Sequence, residues 1–243
     1  MPAEIREDRL LRYTGSEAEY TVPPHVTCIG ELAFAGAGSL AYLHIPDTVR
    51  SIGNYAFDMC YSLRHIRLPE SVDSMGTGLF HHCWSLTELR FPEGLRALGG
   101  EMLEGCHALT SIYLPDSLEH MDRTALSGCR NLRFVYIDPA KLGILPANAA
   151  NLAALTYMEK HRDGDDKGAA VDSYAKSKPR ILLDLAINRR SAEAVRYMLE
   201  HGIAGADELE ANLDKAIATG RVEITALLLE YGKNRDKTIK WEI

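Results

Sequence analysis

The hydrophobic positions of the chain recur with a fixed period between residue 26 and about residue 140. Each block opens on an aliphatic residue, and in the first four blocks an apolar residue followed by glycine comes three positions later. A small or aliphatic residue and then a large apolar one come next. The five blocks begin at Val26, Val49, Val72, Leu95 and Leu118, with no insertion or deletion between them. A fixed period of this length predicts a repeat solenoid, in which each repeat covers the apolar face of its neighbour.

Each block closes on two apolar residues that lie two positions apart and are followed by proline. The first four closing sequences are Leu43-x-Ile45-Pro46, Ile66-x-Leu68-Pro69, Leu89-x-Phe91-Pro92 and Ile112-x-Leu114-Pro115. In the fifth, Val135-x-Ile137, the proline is displaced to Pro139. Alternate apolar residues predict a short strand, proline ends it, and glycine permits a tight corner. The pattern therefore predicts five repeats of strands and helical turns over residues 26–140.

Both ends of the array are predicted to be covered, since a terminal repeat has no neighbour on its outer side. Residues 1–25 are expected to form a capping half-repeat, because Tyr20, Val22 and Pro23 lie one full period before the matching positions of the first full repeat. The segment that follows residue 140 is expected to cover the other end.

The repeat pattern from Val49 to Pro69, Val-x-x-Ile-Gly-x-x-Ala-Phe-x-x-Cys-x-Ser-Leu-x-x-Ile-x-Leu-Pro, resembles the BspA-like leucine-rich repeat of bacterial proteins. The resemblance covers a little over half of the chain. It implies a right-handed, curved β-solenoid that binds proteins, and family members on cell surfaces are associated with adhesion to host proteins. This chain departs from those members because no export signal is recognisable in it.

Beyond residue 140 the spacing of apolar residues becomes helical. Residues 184–202 match residues 214–232 at a constant offset, and each copy predicts two helices closed by a glycine, Gly202 or Gly232. The pattern resembles degenerate ankyrin-type helical pairs. Residues 162–180 are charged and small, which predicts a flexible loop. Residues 141–243 are therefore expected to form an all-α helical-repeat domain.

Charge and composition narrow the classes of function. Residues 1–140 contain 11 arginines, no lysine and 18 acidic residues, and the whole chain has a net charge of -7. Nucleic acid is not expected as a partner, because its binding normally needs a basic excess. There is no apolar run long enough to cross a membrane. The charged N-terminus and five cysteines favour a cytoplasmic location with reduced thiols. A surface location is expected only if the native N-terminus is missing from this sequence.

Four cysteines recur at one position of the repeat: Cys60, Cys83, Cys106 and Cys129. We expect them to fill the core as a ladder, because zinc sites use closely spaced, converging pairs. His81, His82 and His107, beside Cys83 and Cys106, also offer metal-ligand types. Solvated histidines beside core cysteines are the favoured interpretation, so that no metal site is predicted.

No catalytic motif is present. The chain has no nucleophile elbow, phosphate-binding glycine loop or helical zinc-protease motif. We therefore expect a protein that is not an enzyme and that uses no cofactor.

The outward-facing residues of the closing strands are the candidate binding site, because alternate residues of a strand point away from the core and align from repeat to repeat. Aromatic residues and arginine, which are enriched at protein interfaces, collect there. The partner-binding residues predicted on this face are His44, His65, Arg67, Arg90, Tyr113, Phe134 and Tyr136.

The predicted function is a protein-interaction scaffold that binds a protein or peptide of unknown identity on this face. Two alternatives remain open. The face could pack against the chain's own tail, which would be a structural role, or against a second copy, which would make the protein a homo-oligomer. The other alternative is a cell-surface adhesin without a recognisable signal. Exposed strand residues also favour tyrosine and arginine for reasons of sheet packing alone.

Overall fold

The computed structural model describes residues 2–160 and 167–236. The chain divides into two compact units, with the division between Leu152 and Ala153. The first unit is mainly a β-solenoid, and the described residues of the second unit are mainly helical. The predicted fold class, a repeat solenoid followed by helices, is confirmed.

An N-terminal hairpin begins the first unit. Strands β1 (Ala3–Arg6) and β2 (Arg9–Tyr13) pair antiparallel, and β2 then pairs parallel with the next strand of its sheet. Strand β3 (Glu19–Thr21) follows and places Tyr20 opposite Leu43 of the first full repeat. The N-terminal segment therefore contains a hairpin in addition to the strand that its repeat pattern indicates.

The repeats contribute two series of short parallel strands. The first series continues from β2 with β4 (Cys28–Ile29), β6 (Ser51–Ile52), β8 (Ser74–Met75), β10 (Ala97–Leu98) and β12 (His120–Met121). The second continues from β3 with β5 (Tyr42–His44), β7 (His65–Ile66), β9 (Glu88–Arg90), β11 (Ser111–Tyr113) and β13 (Phe134–Tyr136). The sequence period is also the register, since Tyr42 pairs with His65 and Ser111 with Phe134.

A column of aromatic rings and a row of thiols run through the largely aliphatic core of the solenoid. Phe57 lies between Phe34 and Phe80, with centroids 5.6 and 5.2 Å away, and all three rings are buried. The backbone of the turns also pairs from repeat to repeat, because the Phe57 N–H donates to the Leu79 carbonyl at 3.0 Å. The period thus aligns turns as well as strands.

The four recurring cysteines face this core. Cys60, Cys83 and Cys106 are buried and Cys129 is half-buried. Each thiol donates to a backbone carbonyl of the preceding repeat at 3.1–3.2 Å. These contacts keep the thiols inside the stack and away from the neighbouring histidines.

A short 3-10 helix (Pro139–Ile144) follows β13. Its Pro139 and Leu142 are buried, and Lys141 Nζ donates to the Leu118 carbonyl at 3.0 Å. The composition changes near residue 140, where the sequence placed the domain boundary. The first compact unit extends beyond this point, to Leu152.

The helices that follow are α1 (Ala147–Lys160), α2 (Gly168–Lys176), α3 (Pro179–Asn188), α4 (Ala192–Glu200), α5 (Ala206–Ala218) and α6 (Val222–Asp236). The two sequence copies correspond to α3 with α4 and α5 with α6, and the helices of each pair contact one another. No helix in the described part of the chain is both long enough and apolar enough for a bilayer.

Two predictions for this region are wrong. The flexible loop predicted over residues 162–180 does not include 168–176 or 179–180, which are helical because Val171 and Ala175 are buried and Pro179 opens α3. Residues 161–166 lie outside the described part of the chain. Gly202 has a φ of +59° and follows α4 as predicted, but Gly232 lies within α6 and does not end it.

Candidate binding face

The predicted partner-binding residues all lie on the second strand series. In β5 and β9 the central leucine is buried and the two flanking residues are exposed. The exposed members of the predicted set are His44, His65, Arg67 and Arg90, whereas Tyr113, Phe134 and Tyr136 are half-buried. The predicted binding face therefore consists of an exposed part and a half-buried aromatic part.

The exposed part surrounds a groove of about 540 Å³, which we call the strand groove. Its lining residues are 42–45, 65–68, Glu70, Glu88 and Arg90. Four of the seven predicted residues, His44, His65, Arg67 and Arg90, are among them. The groove is thus a specific part of the predicted face.

An interruption in the sheet accompanies the groove. Strands β3, β5 and β7 form one sheet and β9, β11 and β13 form another, so that no strand pairing joins β7 to β9. Strands β5 and β7 pair over two residues, whereas β9 and β11 pair over three. Ile45 and Ile66, near the interruption, are half-buried, whereas Ile112 of β11 is buried. Ile45 and Ile66 both line the strand groove, and we call this partly apolar lining its floor. The sequence pattern assigned these two residues entirely to the core.

The charges around the strand groove differ in their partners. Glu70 accepts a hydrogen bond from the Glu93 N–H at 2.8 Å, and Glu88 accepts one from the Ser111 hydroxyl at 3.3 Å. His44 Nε2 lies 2.9 Å from Glu19 Oε1. Among the residues that the structure describes, no carboxylate pairs with the exposed Arg67.

The aromatic part lies beyond Arg90. Its guanidinium lies over the Tyr113 ring, and Tyr113 stacks on Tyr136 with centroids 4.4 Å apart and an interplanar angle of 6°. The ring centroids of Phe134 and Tyr136 are 6.2 Å apart. Arg90 belongs to both parts, because it also lines the strand groove.

A second polar group, the turn cluster, lies on the turns outside the strands and consists of Asp58, His81, His82, Glu101 and Glu104. His81 Nδ1 lies 2.8 Å from Asp58 Oδ1 and 3.1 Å from His82 Nδ1. All five residues are half-buried. Sequence reasoning singled out the two histidines but grouped them with Cys83 and Cys106, whose thiols face the core instead.

The second unit contains a polar contact that sequence reasoning missed. Asp172 of α2 accepts a hydrogen bond from the Tyr197 hydroxyl at 2.9 Å, and its other oxygen lies 2.9 Å from His201 Nδ1. The rings of Tyr197 and His201 are stacked, with centroids 3.9 Å apart. These contacts join α2 to the end of α4.

Comparison with known proteins agrees with the fold. Residues 7–136 match the model of the BspA type leucine rich repeat region in six copies. None of the curated proteins matches the chain at a significant level.

Several solved structures are similar to the solenoid, and two of them illustrate the likeness. A leucine rich cell surface protein from Faecalibacterium prausnitzii is 27% identical with a TM-score of 0.55, and the match covers 57% of this chain and 38% of that protein. A leucine-rich repeat protein from Eubacterium ventriosum is 24% identical with a TM-score of 0.52, over 54% of this chain and 36% of that protein. The chain thus matches well under half the length of either protein.

Proposed function

Because this chain belongs to the BspA type leucine rich repeat family, we propose that it is a non-enzymatic scaffold whose strand groove binds an extended, acidic segment of a protein partner. The observation that carries this proposal is the unpaired Arg67 beside a partly apolar floor. Leucine-rich repeat proteins generally bind proteins, and the family is generally non-enzymatic, which supports a binding role over a catalytic one.

Charge supports an acidic ligand. The two carboxylates that line the strand groove are already hydrogen-bonded to neighbouring repeats, through the Glu93 N–H and the Ser111 hydroxyl. Arg67 and Arg90 project from adjacent repeats on the same face. A guanidinium binds a carboxylate through two parallel hydrogen bonds, so these arginines favour aspartate or glutamate in the ligand.

The floor supports a peptide rather than a free anion. Ile45 and Ile66 are half-buried and line the strand groove, and Tyr42, which also lines it, has 46% of its surface exposed. An aliphatic or aromatic side chain of the ligand would cover this apolar surface and remove it from water. A ligand that combines acidic and apolar side chains fits both features.

Binding to synthetic peptides tests the proposal. An array of extended peptides in which acidic and apolar residues are varied independently is probed with the purified chain. We expect preferential binding of peptides that contain both, with weaker binding at high salt because the charges are exposed. Arg67→Glu should lower the affinity by about tenfold or more, the equivalent of one charge-assisted hydrogen bond.

The matched control is Arg50→Glu, which makes the same charge change at an exposed residue immediately before β6, outside the strand groove. It should leave peptide binding unchanged. Equal loss in both variants would mean that net charge, not the groove, controls binding. Light scattering on the same samples checks the alternative role, because a stable dimer that Arg67→Glu dissolves would indicate a second copy as the ligand.

We propose the cytoplasm as the location, supported by the five free cysteines, which suit a reducing compartment. The similar protein from F. prausnitzii is a cell surface protein, which makes the surface the alternative. Protease treatment of intact cells separates the two, since only a surface protein would be cleaved.

We also infer that α3–α6 are two ankyrin-like helical repeats. The constant sequence offset between the pairs and the contacts of α3 with α5 and of α4 with α6 support this assignment. In a repeat array each unit is stabilised by its neighbours, so hydrogen exchange should be faster in the outer pair, α5 and α6, than in α3 and α4.

A further inference from the structure

The turn cluster brings together two histidine nitrogens and three carboxylates from three consecutive repeats. Asp58, His81 and Glu104 occupy the same position in successive repeats, so they lie side by side along the stack. His82 is the next residue after His81, and its Nδ1 turns toward the same point. The period therefore lines up ligand types that are distant in sequence.

The backbone of His82 has a conformation that this position adopts in every repeat. Its φ is +56°, in the left-handed region that residues other than glycine rarely adopt. Three other repeats have glycine at this position with φ of +73 to +74°, namely Gly36, Gly105 and Gly128. In the second repeat Met59 occupies the same position with a φ of +54°, so this conformation belongs to the repeat and is not specific to His82. What is specific to the third repeat is the side chain, which places a second imidazole beside His81.

Space for the His82 ring comes from the next repeat. A Cβ added to Gly105 would lie 2.8 Å from His82 Cδ2, so a larger residue would displace the ring. Gly78 acts similarly for Tyr55, whose ring lies across it and whose hydroxyl donates to Glu101 at 2.6 Å. Both glycines leave room for side chains that form or border the turn cluster.

The ligand atoms of the turn cluster lie a few tenths of an ångström closer together than the ligands of a bound zinc ion, so binding would require them to move apart slightly. Zinc bonds of about 2.0–2.2 Å in tetrahedral geometry place the ligand atoms roughly 3.3–3.5 Å apart. Asp58 Oδ1 and His81 Nδ1 are 2.8 Å apart, and the two Nδ1 atoms are 3.1 Å apart. The three ligand atoms lie within 4.8 Å of one another. Because one proton cannot give each of these atoms a strong partner, whereas one cation binds all three, the arrangement favours a cation.

We propose that Asp58, His81 and His82 bind a divalent zinc ion through one carboxylate oxygen and two imidazole Nδ1 atoms. Imidazole and carboxylate ligands suit Zn²⁺, whereas Ca²⁺ and Mg²⁺ prefer sites made of oxygen alone. Glu101 and Glu104 have ligand atoms within 4.8 Å of a His81 nitrogen and of each other, in a group separate from Asp58 and His82. The fourth coordination position is then open to water.

Calorimetric titration of the full chain with Zn²⁺ tests the site. The background is Cys28→Ser, because the half-buried Cys28 thiol could itself bind zinc. We expect one Zn²⁺ per chain and an increase in Tm upon binding, since a ligand that binds the folded state stabilises it. Loss of an outer-shell partner typically weakens metal binding 10–100-fold, so loss of a direct ligand should weaken it by about 100-fold or more.

His82→Gly is the decisive variant, because glycine at the same position of three other repeats preserves the backbone. It should abolish the Zn²⁺-dependent increase in Tm, and Asp58→Asn should weaken zinc binding with little change in side-chain volume. His107→Ala removes an exposed histidine outside the turn cluster and should bind Zn²⁺ like the background protein. The proposal is overturned if the background protein binds no Zn²⁺, or if His82→Gly binds it equally well.

Discussion

The guanidinium of Arg90 lies over the ring of Tyr113, with its Cζ atom 4.1 Å from the ring centroid. A contact of this kind restricts the orientation of the cation. Tyr113 is itself held by stacking on Tyr136. Because Arg90 also lines the strand groove, the half-buried aromatic residues of the last repeats fix the position of a charge at the proposed peptide site.

Tyr113→Ala should therefore weaken both stability and binding. Loss of the ring removes one aromatic pair and one cation–π contact, and we expect the free energy of unfolding to fall by about 1–2 kcal/mol. Peptide affinity should fall as well, because Arg90 becomes mobile. Urea unfolding and peptide titration measure the two effects. Tyr113→Phe keeps the ring and should behave like the native chain; equal weakening by both variants would point to the hydroxyl instead.

The register of the solenoid is predictable from the sequence because one physical rule determines it. Each apolar position must cover its counterpart in the next repeat, so the constant period of the sequence becomes a strand pairing such as Tyr42 with His65. The same reasoning places the outward-facing residues on one face. Four of the predicted residues meet in the strand groove for this reason.

The groove itself is not predictable in this way. Ile45 and Ile66 occupy apolar positions of the repeat pattern, and no residue type there marks the interruption between β7 and β9. Strand separation depends on the packing of whole repeats, which a periodic pattern cannot express. The turn cluster, unlike the groove, is indicated in the sequence itself. His82 occupies a repeat position at which three other repeats have glycine.

Alkaline pH should destabilise the solenoid through its buried thiols. Burial raises the pKa of Cys129 to about 12, and it raises the pKa values of Cys83 and Cys106 above the ordinary value of 9.0. Above pH 9 these thiols ionise in the unfolded chain but stay protonated in the folded one. Stability is therefore intact below pH 9 and is lost as the pH rises, by up to about 1.4 kcal/mol per pH unit for each thiol.

Urea unfolding under reducing conditions between neutral pH and about pH 10 measures this slope. Cys106→Ala removes one of the thiols and should give a shallower slope, although the small cavity lowers its stability at every pH. An identical slope in the variant would show that other groups cause the alkaline loss.

Asp172→Ala should loosen α2 in particular. The Asp172 carboxylate accepts a hydrogen bond from the Tyr197 hydroxyl and contacts His201. Removal of such a partner lowers the free energy of unfolding by about 1–3 kcal/mol. Because both contacts join α2 to the end of α4, hydrogen exchange should accelerate in residues 168–176 and leave the solenoid strands unchanged. A uniform acceleration of hydrogen exchange throughout the chain would contradict a local effect of Asp172 on α2.

A series of three glycine-to-alanine variants should separate backbone strain from steric overlap. Gly94 has open space and no positive φ, so Gly94→Ala should be neutral or stabilise by up to about 1 kcal/mol. Gly36 has open space but a φ of +74°, and Gly36→Ala should cost about 1–2 kcal/mol. Gly78 has a φ of +59° and an added Cβ would lie 2.1 Å from the Tyr55 ring, so Gly78→Ala should cost the most.

Gly78→Ala should also displace Tyr55 from Glu101, which a change in tyrosine fluorescence would report. If Gly78→Ala and Gly36→Ala lose the same free energy of unfolding, the Tyr55 ring moves aside without cost and does not stabilise the residues beside the turn cluster.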